Sequence, residues 1–299
     1  MIKPSEGHPL MRKIVDQRSS LTPRGRVLAD FVLQNPRKVM FMRTKELASV
    51  CQTSESTVVR FVTQLGYQGY GDFIQALRDF VDTELTLLER VALTNLEGPG
   101  KERFRRIVFE EIDNLKQLYE TMDLETMERV LECLEGSPRI FVIGSRLSHT
   151  LAYYLGWSLM KVRPNIQILK GSDSSSIDWL TIAPSDSLTV IIATSRYPNE
   201  LIKMAKLVRR LGQKLIVITD SHICPLIQFA QLSLVAPSKH IPVVGSLSTL
   251  TCLINYLTIE LTGRDGTRVR DHQERLEQAY RENDILFNLE KIDEARLDG

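Results

Sequence analysis

Cysteine is scarce in this chain, with four residues in 299 at Cys51, Cys133, Cys224 and Cys252. None forms a C-x-x-C pair and no histidine stands at ligand spacing from them, so neither a disulfide framework nor a zinc site is expected. The four are read as buried thiols. Long apolar runs are missing as well. No stretch reaches the ~18 residues that cross a bilayer, and the opening MIKPSEGHPLMRK has no apolar signal core. The chain is therefore expected to stay in the cytoplasm, with no membrane partner. Internal repeats and low-complexity tracts are absent too. Net charge is only +1.

That small net charge conceals an uneven distribution. Residues 1–70 hold eleven Lys and Arg against five Asp and Glu, whereas the rest hold 27 against 32. A basic excess at one end suits contact with a polyanion. Apolar residues make up 43% and charged residues 25%, the balance of a folded globular chain, and 299 residues suggest two domains.

Between residues 22 and 80 the pattern is that of short helices. Thr22-Pro23 reads as a cap followed by proline at the first helical position, and Val27, Leu28, Phe31 and Val32 follow at helical spacing. The helix should stop at Asn35-Pro36. Thr44 reads as the cap of a second helix over 45–51. Ser54 reads as the cap of a third, which ends at Gly66, and a longer helix is expected over 70–92. Asn95-Leu96-Glu97-Gly98-Pro99-Gly100 breaks any regular structure. The expected division is an all-helical domain over 1–93, a linker over 94–100 and a second domain with a carboxy-terminal helix over 101–299.

Beyond the linker, helical patterns over 101–120 and 124–134 give way to short apolar strands. These are expected at 140–143, 166–169, 188–192, 215–218 and 232–235, separated by amphipathic stretches. Such alternation predicts a parallel sheet covered by helices on both faces. An apolar helix over 247–261 and a charged surface or interface helix over 264–284 complete the chain. The fold class is α/β with an all-α amino-terminal domain.

Two helices joined by a short turn form a unit whose second helix can enter the major groove. Ser54, Ser56 and Thr57 would present hydroxyls to phosphates or base edges, and Arg60, one turn on, can reach guanine or phosphate. Val58, Val59, Phe61, Val62 and Leu65 should meet Leu47, Ala48 and Val50 inside the unit. Helix pairs of this kind also occur as plain packing units. The basic excess on this segment favours DNA, as do Tyr67 and Tyr70, whose hydroxyls follow the helix. Thr44 completes the expected DNA-contacting set.

Thr44, Glu46-Leu47-Ala48, the run 54–61 and Leu65-Gly66-Tyr67-x-Gly69-Tyr70 together resemble the amino-terminal domain of the RpiR/MurR family of bacterial regulators. That family joins this helix-turn-helix bundle to a sugar isomerase (SIS) domain, so the resemblance implies a doubly wound parallel sheet and covers nearly the whole chain.

In an open parallel sheet, ligands sit beyond the carboxyl ends of the strands, at helix amino termini. Two loops there carry hydroxyls and an arginine suited to an anion: Ser145, Arg146 and Ser148 after the first strand, and Thr194, Ser195, Arg196, Tyr197 and Asn199 after the third. Ser148 and Ser195 could equally be simple caps. The 172–176 run, Asp220-Ser221 and Gly245-Ser246 stand near the same rim. SIS domains that bind sugar phosphates resemble this arrangement, with Gly-x-Gly-x-Ser in the first loop and Ser-x-Ser-Gly-x-Thr in the second. Here Arg146 replaces a glycine; in the second loop Ala193, Arg196 and Pro198 replace serine, glycine and threonine. Two hydroxyls are exchanged for two cations.

The expected function is a transcription regulator with operator DNA, a small anionic metabolite (a phosphosugar first) and a second copy of itself as partners, and with no cofactor, metal or catalysis. The alternatives are an effector that is a non-sugar carboxylate, and a sugar-phosphate isomerase fused to a DNA-binding module. An isomerase would need a base, for which Glu200, Glu260, His149 and His240 are the nearby candidates.

Overall fold

The computed structural model describes residues 9–93, 99–237 and 245–286. The amino-terminal elements are α1 (Pro9–Gln17), α2 (Pro23–Gln34), α3 (Pro36–Val39), α4 (Thr44–Val50), α5 (Glu55–Gln64), α6 (Tyr70–Glu84) and α7 (Leu87–Leu93). Their ends fall where side chains satisfy the backbone groups that a helix terminus leaves free. The Thr22 hydroxyl accepts from the Gly25 amide at 3.1 Å, and α2 stops before Asn35-Pro36. The cap of α4 is Arg43 rather than Thr44: Glu46 reaches back to accept the Arg43 amide at 2.6 Å, and Thr44 is the first helical residue.

Two features were not expected. Helix α1 buries Leu10, Met11 and Ile14 in the same core as the helices after it. The single helix expected over 70–92 is two helices, because Thr86 and Glu89 form a reciprocal cap that starts a new one. The Glu89 carboxylate accepts the Thr86 amide at 2.8 Å, and the Thr86 hydroxyl accepts the Glu89 amide at 3.3 Å.

Leu28, Val32, Leu47, Ala48, Val58, Phe61, Val62, Leu65, Phe73 and Leu77 are among the buried residues of this first core. Val50 and Val59 are not: both stand outward, Val59 with 43% of its surface exposed. Each lies on the far side of its helix from the seam.

The second half comprises α8 (Gly100–Thr121), α9 (Leu124–Gly136), β1 (Ile140–Gly144), α10 (Leu147–Met160), β2 (Ile166–Lys170), α11 (Ser174–Ile182), β3 (Leu188–Ala193), α12 (Asn199–Arg210), β4 (Lys214–Thr219), β5 (Leu232–Val235), α13 (Ser248–Arg264) and α14 (Gly266–Glu282). The strands make one parallel sheet in the order β2-β1-β3-β4-β5. Alternate strand residues serve opposite faces, as the pleat requires. Val142, Val190 and Ile216 face the core under α9, α10 and α13, whereas Phe141, Ile191 and Val217 face the one under α11 and α12. The 172–176 run near the rim is partly helical: Asp173 caps α11 by accepting the Ser176 amide at 2.7 Å.

The cysteine expectation is half right. Cys51 and Cys224 are buried, Cys133 is half-buried and Cys252 is exposed on α13. Among the described residues no helix is long and apolar enough to cross a membrane, and no group of three or more metal-ligating side chains gathers. Most of the expected linker and His240 lie outside the described residues.

Candidate functional site

The turn between α4 and α5 is closed by helix-end hydrogen bonds. The Thr53 amide donates to the Ala48 carbonyl at 2.9 Å and the Gln52 amide to that of Ser49 at 3.1 Å, with Gln52 in the left-handed region at φ 50°. The same closure ends α5, where Gly66 takes φ 81° and the Tyr67 amide reaches the Val62 carbonyl at 3.1 Å. Both ends of α5 are thereby fixed relative to the core.

At its start, the Ser54 hydroxyl accepts the Thr57 amide at 3.2 Å. The same oxygen lies 2.9 Å from the Ser56 hydroxyl and 2.8 Å from that of Thr57. These hydroxyls form an exposed cluster on the first turn. Arg60 stands beyond them, exposed, its Nε donating to the Ser56 carbonyl at 3.3 Å. The outward Val59 adds an apolar group to the same surface, suited to a thymine methyl. Sequence reasoning had placed it inside.

Tyr67 and Tyr70 are brought near α5 but used inwardly. Both rings lie against Phe73, with centroids 5.5 and 6.4 Å away, and the Tyr70 hydroxyl donates to the Met42 carbonyl at 3.0 Å. Burial pushes both phenols up to about 12. Thr44 is half-buried on α4, one residue from the exposed Lys45.

The second candidate region lies where β1 and β3 are neighbours and their chains leave in opposite directions, the switch point of the sheet. Gly144 ends β1 because nothing larger fits: a Cβ there would meet the Ser148 carbonyl oxygen at 2.4 Å and Ala152 Cβ at 2.7 Å. Arg146 follows at φ 52°, and in the matching loop Arg196 takes φ 65°. Both sit in the left-handed backbone that glycine adopts freely and arginine does not, at the two positions where the family pattern has glycine.

The hydroxyls of these loops are occupied. Ser148, inside α10 rather than capping it, donates to the Ser145 carbonyl at 2.8 Å. The Ser145 hydroxyl is hydrogen-bonded to the Glu200 carboxylate, which also lies over Gly171. Ser195 does not cap α12 either: its amide and its hydroxyl both donate to one Asp220 oxygen at 2.7 Å, while the Tyr197 hydroxyl donates to the other at 3.1 Å. Burial raises the Asp220 carboxyl above its ordinary range despite these donors, and raises the Tyr197 phenol well above its own. Thr194 is half-buried in this loop, and Asn199, the first residue of α12, is exposed. On the same rim the Ser246 hydroxyl donates to Glu111 at 2.9 Å.

Of the other candidates for a base, Glu260 is on α13, and His149 is half-buried with its Nδ1 enclosed and without a hydrogen-bond partner. Glu200, expected only as a candidate base, and Asp220, expected only as a polar residue near the rim, are thus the carboxylates that the structure brings onto the loop hydroxyls. Asp79 and Asp82 of α6 also reach this rim, although nothing in their sequence neighbourhood marked them.

A helix-turn-helix domain of the rpiR family matches residues 9–84, and a SIS domain matches residues 134–259. The bifunctional protein glk of Paraburkholderia xenovorans (strain LB400) is 24% identical over 255 residues, which are 84% of this chain and 39% of that protein. The chain spans about two fifths of the length of such relatives. The HTH-type transcriptional regulator HexR of Pseudomonas aeruginosa is 24% identical over 278 residues, 90% of this chain and 95% of that one. Among solved structures, the Vibrio vulnificus NanR protein complexed with ManNAc-6P aligns with a TM-score of 0.54 at 20% identity, covering 93% of this chain and 100% of that one. With an rpiR-type helix-turn-helix domain ahead of a SIS domain, the chain belongs to the RpiR family.

Proposed function

We propose that this protein is a transcription regulator in which α5 reads operator DNA and a small anionic metabolite, with a phosphosugar as the leading class, binds between the loops that follow β1 and β3. Ser54, Ser56, Thr57 and Arg60 make the DNA contacts. Ser145, Arg146, Ser195 and Arg196 hold the anion. The observation that carries the ligand reading is the pair of arginines in left-handed backbone at equivalent, adjacent strand ends. Non-glycine residues persist in that conformation where a use outweighs a cost of roughly 1–3 kcal/mol each. The NanR neighbour is described as complexed with ManNAc-6P, which supports a phosphosugar; a carboxylate metabolite is the alternative.

The regulator acts in the cytoplasm as a homo-oligomer, because one such module buries too little surface for high specificity and binds as half of a symmetric pair. The surface that suits self-association is α8, whose Phe104, Ile107, Val108, Ile112, Leu115 and Tyr119 are exposed, Phe104 by 69% and Tyr119 by 89%. Catalysis is not part of this reading. An isomerase is the second reading, and the seat of Glu200 on Ser145 is the observation that favours it.

The test combines melting and gel-shift measurements on the full-length chain with a panel of phosphosugars and small organic acids. A ligand that raises the melting temperature and shifts affinity for the DNA flanking the gene, with Ser195→Ala and Arg196→Ala blunting both, supports the proposal. Turnover of the sugar would favour the isomerase. Indifference to that DNA at low salt with every compound would end the regulator reading.

A further inference from the structure

Helix α6 has two faces that belong to different halves of the molecule. Phe73, Ile74, Leu77, Phe80 and Val81 are buried in the DNA-binding core, where Phe73 meets Phe61 of α5 edge to face at 6.0 Å. Gln75, Asp79 and Asp82, at i, i+4 and i+7, form another face, and this one lies on the carboxyl edge of the sheet. The Ser221 hydroxyl, just after β4, donates to Asp79 at 2.6 Å, and Gln75 donates to the other oxygen of the same carboxylate at 2.9 Å. Asp82 lies against the Ser195 hydroxyl and within the field of Arg196. It is also paired at 2.6 Å with Arg90 of α7, a residue only 4% exposed.

The residues that Asp82 engages are those assigned above to the effector's anion. Asp220 stands in the same cluster, so three carboxylates share the rim with Arg90 and Arg196. A further anion can enter this low-dielectric surface only if some of that negative charge leaves. Asp220 directly follows β4 of the sheet, whereas Asp79 and Asp82 are carried by a helix of the other domain.

We propose that the carboxylate face of α6 occupies the anion site of the sheet as an internal stand-in for the effector, so that effector binding and α6 docking are mutually exclusive. The inference rests on the ligand site proposed above. Because α6 and α5 share one core, release of α6 from the sheet frees the reading helix with it as a single body. The effector thereby gains the differential affinity for two arrangements that any regulation requires.

The experiment uses the full-length chain at about pH 5, where the Asp79 carboxyl is protonated and docking is favoured, with inorganic phosphate as the probe, and reads carbodiimide labelling of Asp79 and Asp82 by mass spectrometry alongside phosphate affinity by calorimetry. Slow labelling without phosphate and several-fold faster labelling at saturation are expected. Asp82→Asn, which removes the competing charge, should bind phosphate about tenfold more tightly. Ser221→Ala, which keeps every charge and removes one donor, should label faster at Asp79 without phosphate. Rapid labelling of both carboxylates in the free parent protein would overturn the docking itself. Binding that Ser195→Ala weakens, with labelling unchanged by phosphate and Asp82→Asn no tighter than the parent, would overturn the competition while leaving the site in place. Binding indifferent to Ser195→Ala, or no binding by any variant, would remove the site and the competition with it.

Discussion

On α5 the hydroxyls of Ser54, Ser56 and Thr57 satisfy one another and remain exposed, whereas at the sheet edge those of Ser145 and Ser195 are held by the carboxylates of Glu200 and Asp220. The proposed reading surface is open to a polyanion; the proposed sensing surface is already in contact with carboxylates of its own chain. Under the competition proposed above, the first needs only to be presented, whereas the second exchanges one anion for another, and such an exchange can be coupled to movement.

The largest effect expected from that contrast is on pH. Asp79 faces Asp220, Tyr197 and the Ser221 hydroxyl on the sheet side and Gln75, Arg78 and Asp82 on its own helix. Burial first, and then the charges of Asp220 and Asp82, push its carboxyl up from 3.8 to about 7, against the pull of the Ser221 and Gln75 donors. A raised carboxyl favours the docked state when protonated. Its contribution is full below 3.8, falls as pH rises toward 7 and is gone above that, a change on the order of 4 kcal/mol. Small-angle scattering should show the domains separating between pH 5 and pH 8, with Asp79→Asn, a neutral mimic, docked at both. Identical profiles for parent and variant would remove Asp79 from the interface.

Next is Arg60→Ala, which should cost specific operator affinity about 1–3 kcal/mol and flatten its salt dependence without changing the melting temperature. Titrations at two salt concentrations measure both. An unchanged affinity would leave the exposed hydroxyl cluster without its cation. Arg196→Gly sharpens the contrast further: relief of the left-handed backbone should stabilise the sensing half by about 1 kcal/mol while anion affinity falls, a stability gain with a functional loss. The smallest effect is expected at Gln52, the non-glycine residue in left-handed backbone among the described residues of the amino-terminal half. Gln52→Gly should raise the melting temperature slightly, by no more than about 1 kcal/mol of stability, and leave DNA binding intact. A stabilised Gln52→Gly variant with weakened DNA binding would show that strain in the reading half is functional too.

The strands were legible because a parallel sheet buried on both faces demands continuous apolar runs, and Ile140, Ile166, Leu188, Leu215 and Leu232 each open or nearly open one. The caps at Thr22 and Ser54 were legible because a hydroxyl before a helical pattern has one common use. The break after Glu84 had a signal in Thr86-x-x-Glu89, but the helical pattern running across it masked the box. Val50 and Val59 were misplaced because apolar character alone does not say which side of a short helix meets its neighbour. The docking of α6 had no local signal at all. Asp79 and Ser221 are 142 residues apart, and a carboxylate on a helix looks in sequence like any solvated charge.

The close approach at Gly144 has a mechanical consequence. With the first turn of α10 seated on the end of β1 and no room for a single added carbon, strand and helix have no slack between them. A displacement at Arg146, between that strand end and that helix, would therefore be passed to α10 as a whole rather than taken up in the joint, and α10 carries the exposed Tyr153 and Trp157.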